Sequence, residues 1–283
     1  MFKTLISTSE LSNHLNDPDW AIMDCRFSLD EPERGRRNYL QGHIPGAVYA
    51  NLNQDLSGQV IPGVTGRHPL PPVEALIRTF SGWGIGPGVQ VVAYDDWKNG
   101  SGAIAARLWW MLQWLGHDAS AVLDGGWERW VKEDRPVRSG EEQRSPLQFV
   151  PHMRPDWLAS DDEVDAMRLD ETWRVLDARS ADRFHGENEN RDPVAGHIPG
   201  AHSAPYAGNM GPDGLFLPAE ELAARYRDIL GGVSAERAAV YCGSGVTAAH
   251  DVLAIAHAGL GQARLFVGSW SEWITDPQHP VEK

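Results

Sequence analysis

Apolar residues along this chain fall in short, dense runs. In the first half these are AIMD (21–24), QVVAY (90–94) and SAVLD (120–124); in the second they are WRVLD (173–177), RAAVY (237–241) and ARLFV (263–267). Each is strand-sized and bounded by Gly, Pro or charge. Between them lie longer patterns of helical type, notably 101–116 (SGAIAARLWWMLQWLG) and 245–261 (GVTAAHDVLAIAHAGLG). Strands alternating with helices predict an α/β fold, with a mostly parallel sheet and helices on both of its faces. In such sheets chemistry collects at the carboxyl ends of strands, where loops lead into helix N-termini.

The pattern occurs twice. GHIPGA stands at 42–47 and again at 196–201. An Asp-x-Arg closes an apolar run upstream of each copy, at Asp24 and Arg26 and at Asp177 and Arg179. Downstream, VVAYDD (91–96) matches AAVYCG (238–243), and DGGWERW (124–130) matches VGSWSEW (267–273). The offset drifts from 154 at His43 and His197 to 143 at Trp127 and Trp270, as loop insertions would make it drift. One order of motifs at nearly constant spacing predicts one fold used twice. The expected domains are 1–140 and 157–283. Residues 141–156 form a linker that is polar, carries Pro146, Pro151 and Pro155, and has no sustained period.

Composition narrows the functional classes. At 283 residues two domains fit better than one, and a 42% hydrophobic share supplies real cores. A net charge of -14 repels phosphate backbones and anionic lipid, which argues against nucleic-acid and membrane partners. The first twenty residues break their apolar run too soon for an export signal, and no stretch is long enough to span a bilayer. Two cysteines cannot build a disulfide framework, so a cytoplasmic location is expected. No Cys/His cluster has metal-ligand spacing, and no metal or organic cofactor is implied. Of the 12 tryptophans, Trp109, Trp110 and Trp114 fall on one helix read as amphipathic, and are assigned to packing.

Equivalent positions of the repeat differ at one informative place. The first half has Tyr94-Asp95 where the second has Tyr241-Cys242. After Cys242 come Gly243, Ser244, Gly245, Val246 and Thr247, a loop with two glycines that opens into a helix. Such a loop turns backbone N–H groups toward one centre, and the helix start adds partial positive charge. A thiolate there is stabilised, which makes Cys242 the expected nucleophile. Cys25 aligns with Ala178 and reads as a small buried side chain.

Together these motifs resemble the rhodanese superfamily in its two-domain form, over nearly the whole chain. The resemblance implies an inactive first domain, with Asp95 at the cysteine position, and a catalytic second domain. Members that use thiosulfate carry cations in the loop after the cysteine. The neutral CGSGVTA seen here is similar to the loop of members that use 3-mercaptopyruvate. The implied activity is sulfur transfer from 3-mercaptopyruvate through a Cys242 persulfide to a thiol, a thioredoxin-like protein or cyanide, with release of pyruvate. Arg183 and Arg191 stand where such members hold the substrate's carboxylate and keto groups. The family's relay of serine, histidine and aspartate maps onto Ser244, His68 and either Asn53 or Asp55. Arg179, His43 and His197 recur in both halves or have counterparts there, and read as structural. The alternatives are a thiosulfate sulfurtransferase and a non-enzymatic sulfur carrier or binding module. Phosphatases of this fold need an arginine six positions after the cysteine, and Ala248 stands there.

Overall fold

A computed structural model describes residues 1–96 and 102–283. The chain divides into two compact units: Met1–Gly58 with Pro71–Met153, and Gln59–Leu70 with Arg154–Lys283.

Unit 1 is built on five parallel strands in the order β1-β5-β4-β2-β3: β1 (Leu5–Ile6), β2 (Trp20–Asp24), β3 (Ala47–Tyr49), β4 (Gln90–Tyr94) and β5 (Ser120–Leu123). Successive strand residues point to opposite faces. Because Val91, Val92, Ala93 and Tyr94 are all buried, both faces of the sheet are covered. One face packs Val92, Tyr94 and Leu123 against Leu11 of α1 (Thr8–Ser12) and Trp130 of α5 (Gly126–Lys132). The remaining helices are α2 (Arg34–Gln41), α3 (Val73–Gly82) and α4 (Ala103–Trp114). All twelve residues of α4 are buried, Arg107 and Gln113 included, so this helix is covered on every side and is not amphipathic. Its predicted start at Ser101 lies outside the described residues. The three tryptophans are in the core as expected; Trp110 stacks on Trp114, and Trp109 Nε1 donates to the carbonyl of Lys3 at 2.7 Å.

Unit 2 repeats the plan with four parallel strands in the order β7-β6-β8-β9: β6 (Arg174–Asp177), β7 (His202–Ser203), β8 (Ala238–Tyr241) and β9 (Arg264–Leu265). The helices are α6 (Asp161–Met167), α7 (Ala181–Phe184), α8 (Ala219–Leu230), α9 (Thr247–His257) and α10 (Ser269–Trp273). Val175, Ala239 and Tyr241 pack against Val164 and Met167 of α6 and Trp270 and Trp273 of α10, while Leu176 and Val240 are buried on the other face. Among the described residues no helix is long and apolar enough to cross a membrane.

Each predicted strand is present, but the run ARLFV contributes only Arg264–Leu265, and the two- and three-residue strands β1, β3 and β7 carried no period to read. The observed division departs from the sequence boundaries in two places. Residues 141–153 belong with unit 1, because Leu147 and Phe149 donate their backbone N–H groups to the carbonyl and hydroxyl of Ser81, and Phe149 is buried beside Phe80. Residues 59–70 belong with unit 2, and four contacts described below explain why.

The Asp-x-Arg motif does the same work in both units. Arg26 Nη2 donates to Asp24 Oδ2 at 2.6 Å and to the carbonyl of Gly42; Arg179 Nη2 donates to Asp177 Oδ2 at 2.6 Å and to the carbonyl of Gly196. Both pairs are buried, and Trp127 and Trp270 cover the two guanidiniums. The tyrosine ending each central strand joins in: its hydroxyl accepts from the N–H of Ile44 in unit 1 and of Ile198 in unit 2. The motif therefore locks the loop holding HIPGA to the strand whose next residue is Asp95 or Cys242.

Candidate active site

Asp95 shows what the fold does with the residue after the central strand. Its carboxylate is buried and accepts N–H bonds from Gly102 (2.9 Å), Ile104 (2.9 Å) and Ala105 (3.2 Å) at the start of α4. Burial pushes its carboxyl up to about 7, against the pull of these three amides. The first repeat thus fills its own helix-start cradle with a fixed carboxylate.

Cys242 occupies the corresponding place at the end of β8, 2% exposed. The chain bends through residues 243–246 and enters α9 at Thr247; Gly245 has φ +74°, a left-handed value that glycine adopts freely. A methyl at Gly245 would sit 2.3 Å from the carbonyl oxygen of Val267, so the loop also needs glycine for space. The Cys242 carbonyl accepts from Trp270 N–H at 2.9 Å and the Gly243 carbonyl from Ser271 N–H at 3.0 Å. These two bonds pin the loop to α10.

Ser269 supplies a third tie. Its hydroxyl accepts the N–H of Cys242 at 3.0 Å and donates to the carbonyl of Phe266 at 2.9 Å. Its φ is +55°, and its repeat partner, Gly126, has φ +52°. Unit 2 places a serine in a conformation where unit 1 uses glycine, and that serine holds the backbone of the cysteine. The replacement was visible in the repeat as Gly126 against Ser269, but not its meaning.

Residues 59–70 bring the other groups. Gly66 N–H donates to Glu272 Oε2 at 3.2 Å and Arg67 N–H to Ser271 Oγ at 3.0 Å. His68 Nδ1 lies 2.8 Å from Ser244 Oγ, with both residues buried. The structure thus joins the two predicted relay members. Arg67, which sequence reasoning passed over, pairs with Asp192, and a methyl on Gly243 would come within 2.8 Å of Arg67 Nη2 and 3.5 Å of Arg183 Nη2. Both guanidiniums therefore flank the loop.

Arg183 is fixed from behind. It binds Glu189 through Nε and Nη2, each at 3.0 Å, and Asp192 Oδ2 at 3.1 Å. Arg191 is exposed; its backbone N–H donates to Glu189 Oε1 at 2.8 Å. Asn53 and Asp55 lie in unit 1. Asn53 is exposed, whereas Asp55 is half-buried, accepts the Asn51 N–H at 2.8 Å and has its carboxyl raised by burial. Cys25 is fully buried, and burial pushes its thiol well up, so it has none of the features of a nucleophile.

A family model for the rhodanese-like domain matches residues 7–133 and 160–276. The chain belongs to the rhodanese family. Among its relatives, a Pseudomonas aeruginosa protein provisionally named a 3-mercaptopyruvate sulfurtransferase is 45% identical to this rhodanese over 278 residues, 98% of this chain and 97% of that one. A Mycobacterium tuberculosis protein provisionally named a thiosulfate sulfurtransferase is 41% identical over 288 residues, 99% of this chain and 96% of that one. The solved 3-mercaptopyruvate sulfurtransferase from Leishmania major superposes with a TM-score of 0.84 at 32% identity, over 96% of this chain and 74% of that one.

Proposed function

We propose that this rhodanese moves sulfur from 3-mercaptopyruvate to a thiophilic acceptor through a persulfide on Cys242. The carrying observation is one nucleophile in a bent, glycine-containing loop at a helix start, flanked by two guanidiniums and by the His68–Ser244 pair. The Cys242 thiolate attacks the donor sulfur. The S–S bond forms as the C–S bond breaks, and the electron pair leaves on carbon as the enolate of pyruvate, which then takes a proton. Ser244, coupled to His68, stands where it can polarise the donor or pass that proton. In the second half a thiol, a thioredoxin-like protein or cyanide attacks the outer sulfur. The S–S bond breaks, and the pair returns to the Cys242 thiolate.

Arg183 and Arg67 hold the donor's carboxylate as planar forks, with Arg191 at the exposed rim. The loop amides stabilise charge on the terminal sulfur, as the equivalent amides of unit 1 hold the Asp95 carboxylate. Asp55 is the better candidate for a third relay member on chemical grounds, since an amide such as Asn53 cannot stabilise an imidazolium. Two free, buried cysteines suit a reducing cytoplasm.

Mass spectrometry after exposure to 3-mercaptopyruvate tests the reading. One added sulfur is expected on the peptide containing Cys242, and none in Cys242→Ser. Ser244→Ala and His68→Ala should each slow turnover by about 100-fold or more. A Cys242→Ser variant with full turnover would refute the mechanism.

A further inference from the structure

Asp192 sits behind the two guanidiniums that flank the nucleophile's loop. Its side chain is 2% exposed, and its two oxygens are divided between Arg67, at Oδ1, and Arg183, at Oδ2. Its backbone N–H donates to Glu189 Oε1 at 3.1 Å, so the carboxylate is anchored to the same acidic hub that holds Arg183. Burial raises its carboxyl, and Arg67 opposes that shift. Asp192 belongs neither to the predicted relay nor to the predicted substrate-binding residues, although it pairs with one of the latter, Arg183.

The consequence is a matter of charge. Arg67, Arg179 and Arg183 face Asp177, Glu189 and Asp192 in one connected set, through the ion pairs already described and the 3.4 Å contact of Arg179 Nη1 with Glu189 Oε2. The formal charges of these six groups cancel. A bound donor therefore meets two well-aimed forks with little net positive charge behind them. A monoanion can satisfy its hydrogen bonds there. The second charge of a dianion is not matched by any net positive charge in this set and meets the field of Asp192.

We propose that Asp192 is a specificity-determining residue, which sets the site for monoanionic over dianionic sulfur donors by neutralising the Arg67–Arg183 pair from behind. This rests on the sulfurtransferase reading given above. A unit charge at a separation on the order of 10 Å, in an effective dielectric of about 20, shifts the discrimination between donors differing by one charge by about tenfold. Glu189 contributes to the same balance, but it pairs with Arg179 and Arg183, whereas Asp192 touches both loop-flanking guanidiniums.

With cyanide as acceptor, kcat/KM is measured for thiosulfate, a dianion, and for 3-mercaptopyruvate, a monoanion at its carboxylate. In Asp192→Asn the ratio of thiosulfate to 3-mercaptopyruvate should rise about tenfold. Asp192→Glu, which keeps the charge, should leave the ratio near that of the unaltered protein. Arg67→Gln, which removes a cation and leaves Asp192 less compensated, should lower the ratio. If Asp192→Asn depresses both donors equally and the ratio stays fixed, Asp192 is merely structural and the proposal fails. Should Asp192→Asn not fold, Arg67→Gln decides, and an unchanged ratio there overturns the proposal. Turnover of neither donor by the unaltered protein would instead remove the sulfurtransferase reading on which it stands.

Discussion

Ser269 offers a sharp test of how unit 2 holds Cys242. It begins α10 at φ +55°, and both of its hydroxyl bonds are buried. Ser269→Ala removes the acceptor for the Cys242 N–H, a loss of about 1–3 kcal/mol for a buried amide, and keeps a Cβ in the left-handed region. Ser269→Gly loses the same two bonds but relieves roughly 1–2 kcal/mol of left-handed strain. Glycine should therefore be more stable than alanine by about 1 kcal/mol. This reverses the ordinary order for helical positions, where alanine leads by roughly 0.5–1 kcal/mol. Both variants should fall below the unaltered protein. Urea unfolding of the three proteins side by side reads the ranking directly. Alanine equal to or above glycine would show that the backbone at this position is not under the strain inferred from φ, and a glycine variant as stable as the unaltered protein would show that the serine is not held there for the bond it makes to the cysteine.

Two further outcomes follow from buried groups in unit 2. Asp251 is fully buried and accepts from Asn209 Nδ2 at 2.7 Å, and burial pushes its carboxyl up to about 7. The folded state then keeps a proton that the unfolded chain releases near pH 4. Folding is favoured by that proton at low pH, and stability falls as pH rises from about 4 to 7. Asp95, also pushed up to about 7, contributes in the same window, so Asp251→Asn should lessen the fall of the denaturation midpoint by roughly half, and an unchanged slope would count against the assignment. Gly245→Ala forces a side chain into left-handed backbone and onto the carbonyl of Val267. It should cost about 3 kcal/mol or more, or displace the loop and abolish labelling of Cys242; normal stability together with normal labelling would refute it.

Much of this molecule was legible because the chain carries its own comparison. The repeated Asp-x-Arg, HIPGA and Gly-x-Trp segments correspond to one hydrogen-bond network built twice, and the exception, Asp95 against Cys242, marks the position proposed as reactive. What escaped notice was written in contacts between distant segments. Arg67 and Asp192 are 125 residues apart, and neither belongs to a motif. The helix α4 was misjudged as amphipathic; its polar side chains Arg107 and Gln113 are buried and bond to main-chain carbonyls instead of forming a solvated face. Strands of two or three residues escaped because they are too short to show any period at all.

Residues 59–70 lie in sequence within the first repeat yet pack as part of unit 2, carrying Gly66, Arg67 and His68 with them. A gene cut at the linker would thus deliver a second half with its cysteine, loop and helix in place, but without its histidine or one of its two flanking guanidiniums. The stretch between β3 and α3 of the first repeat is thus part of the structure of the second unit.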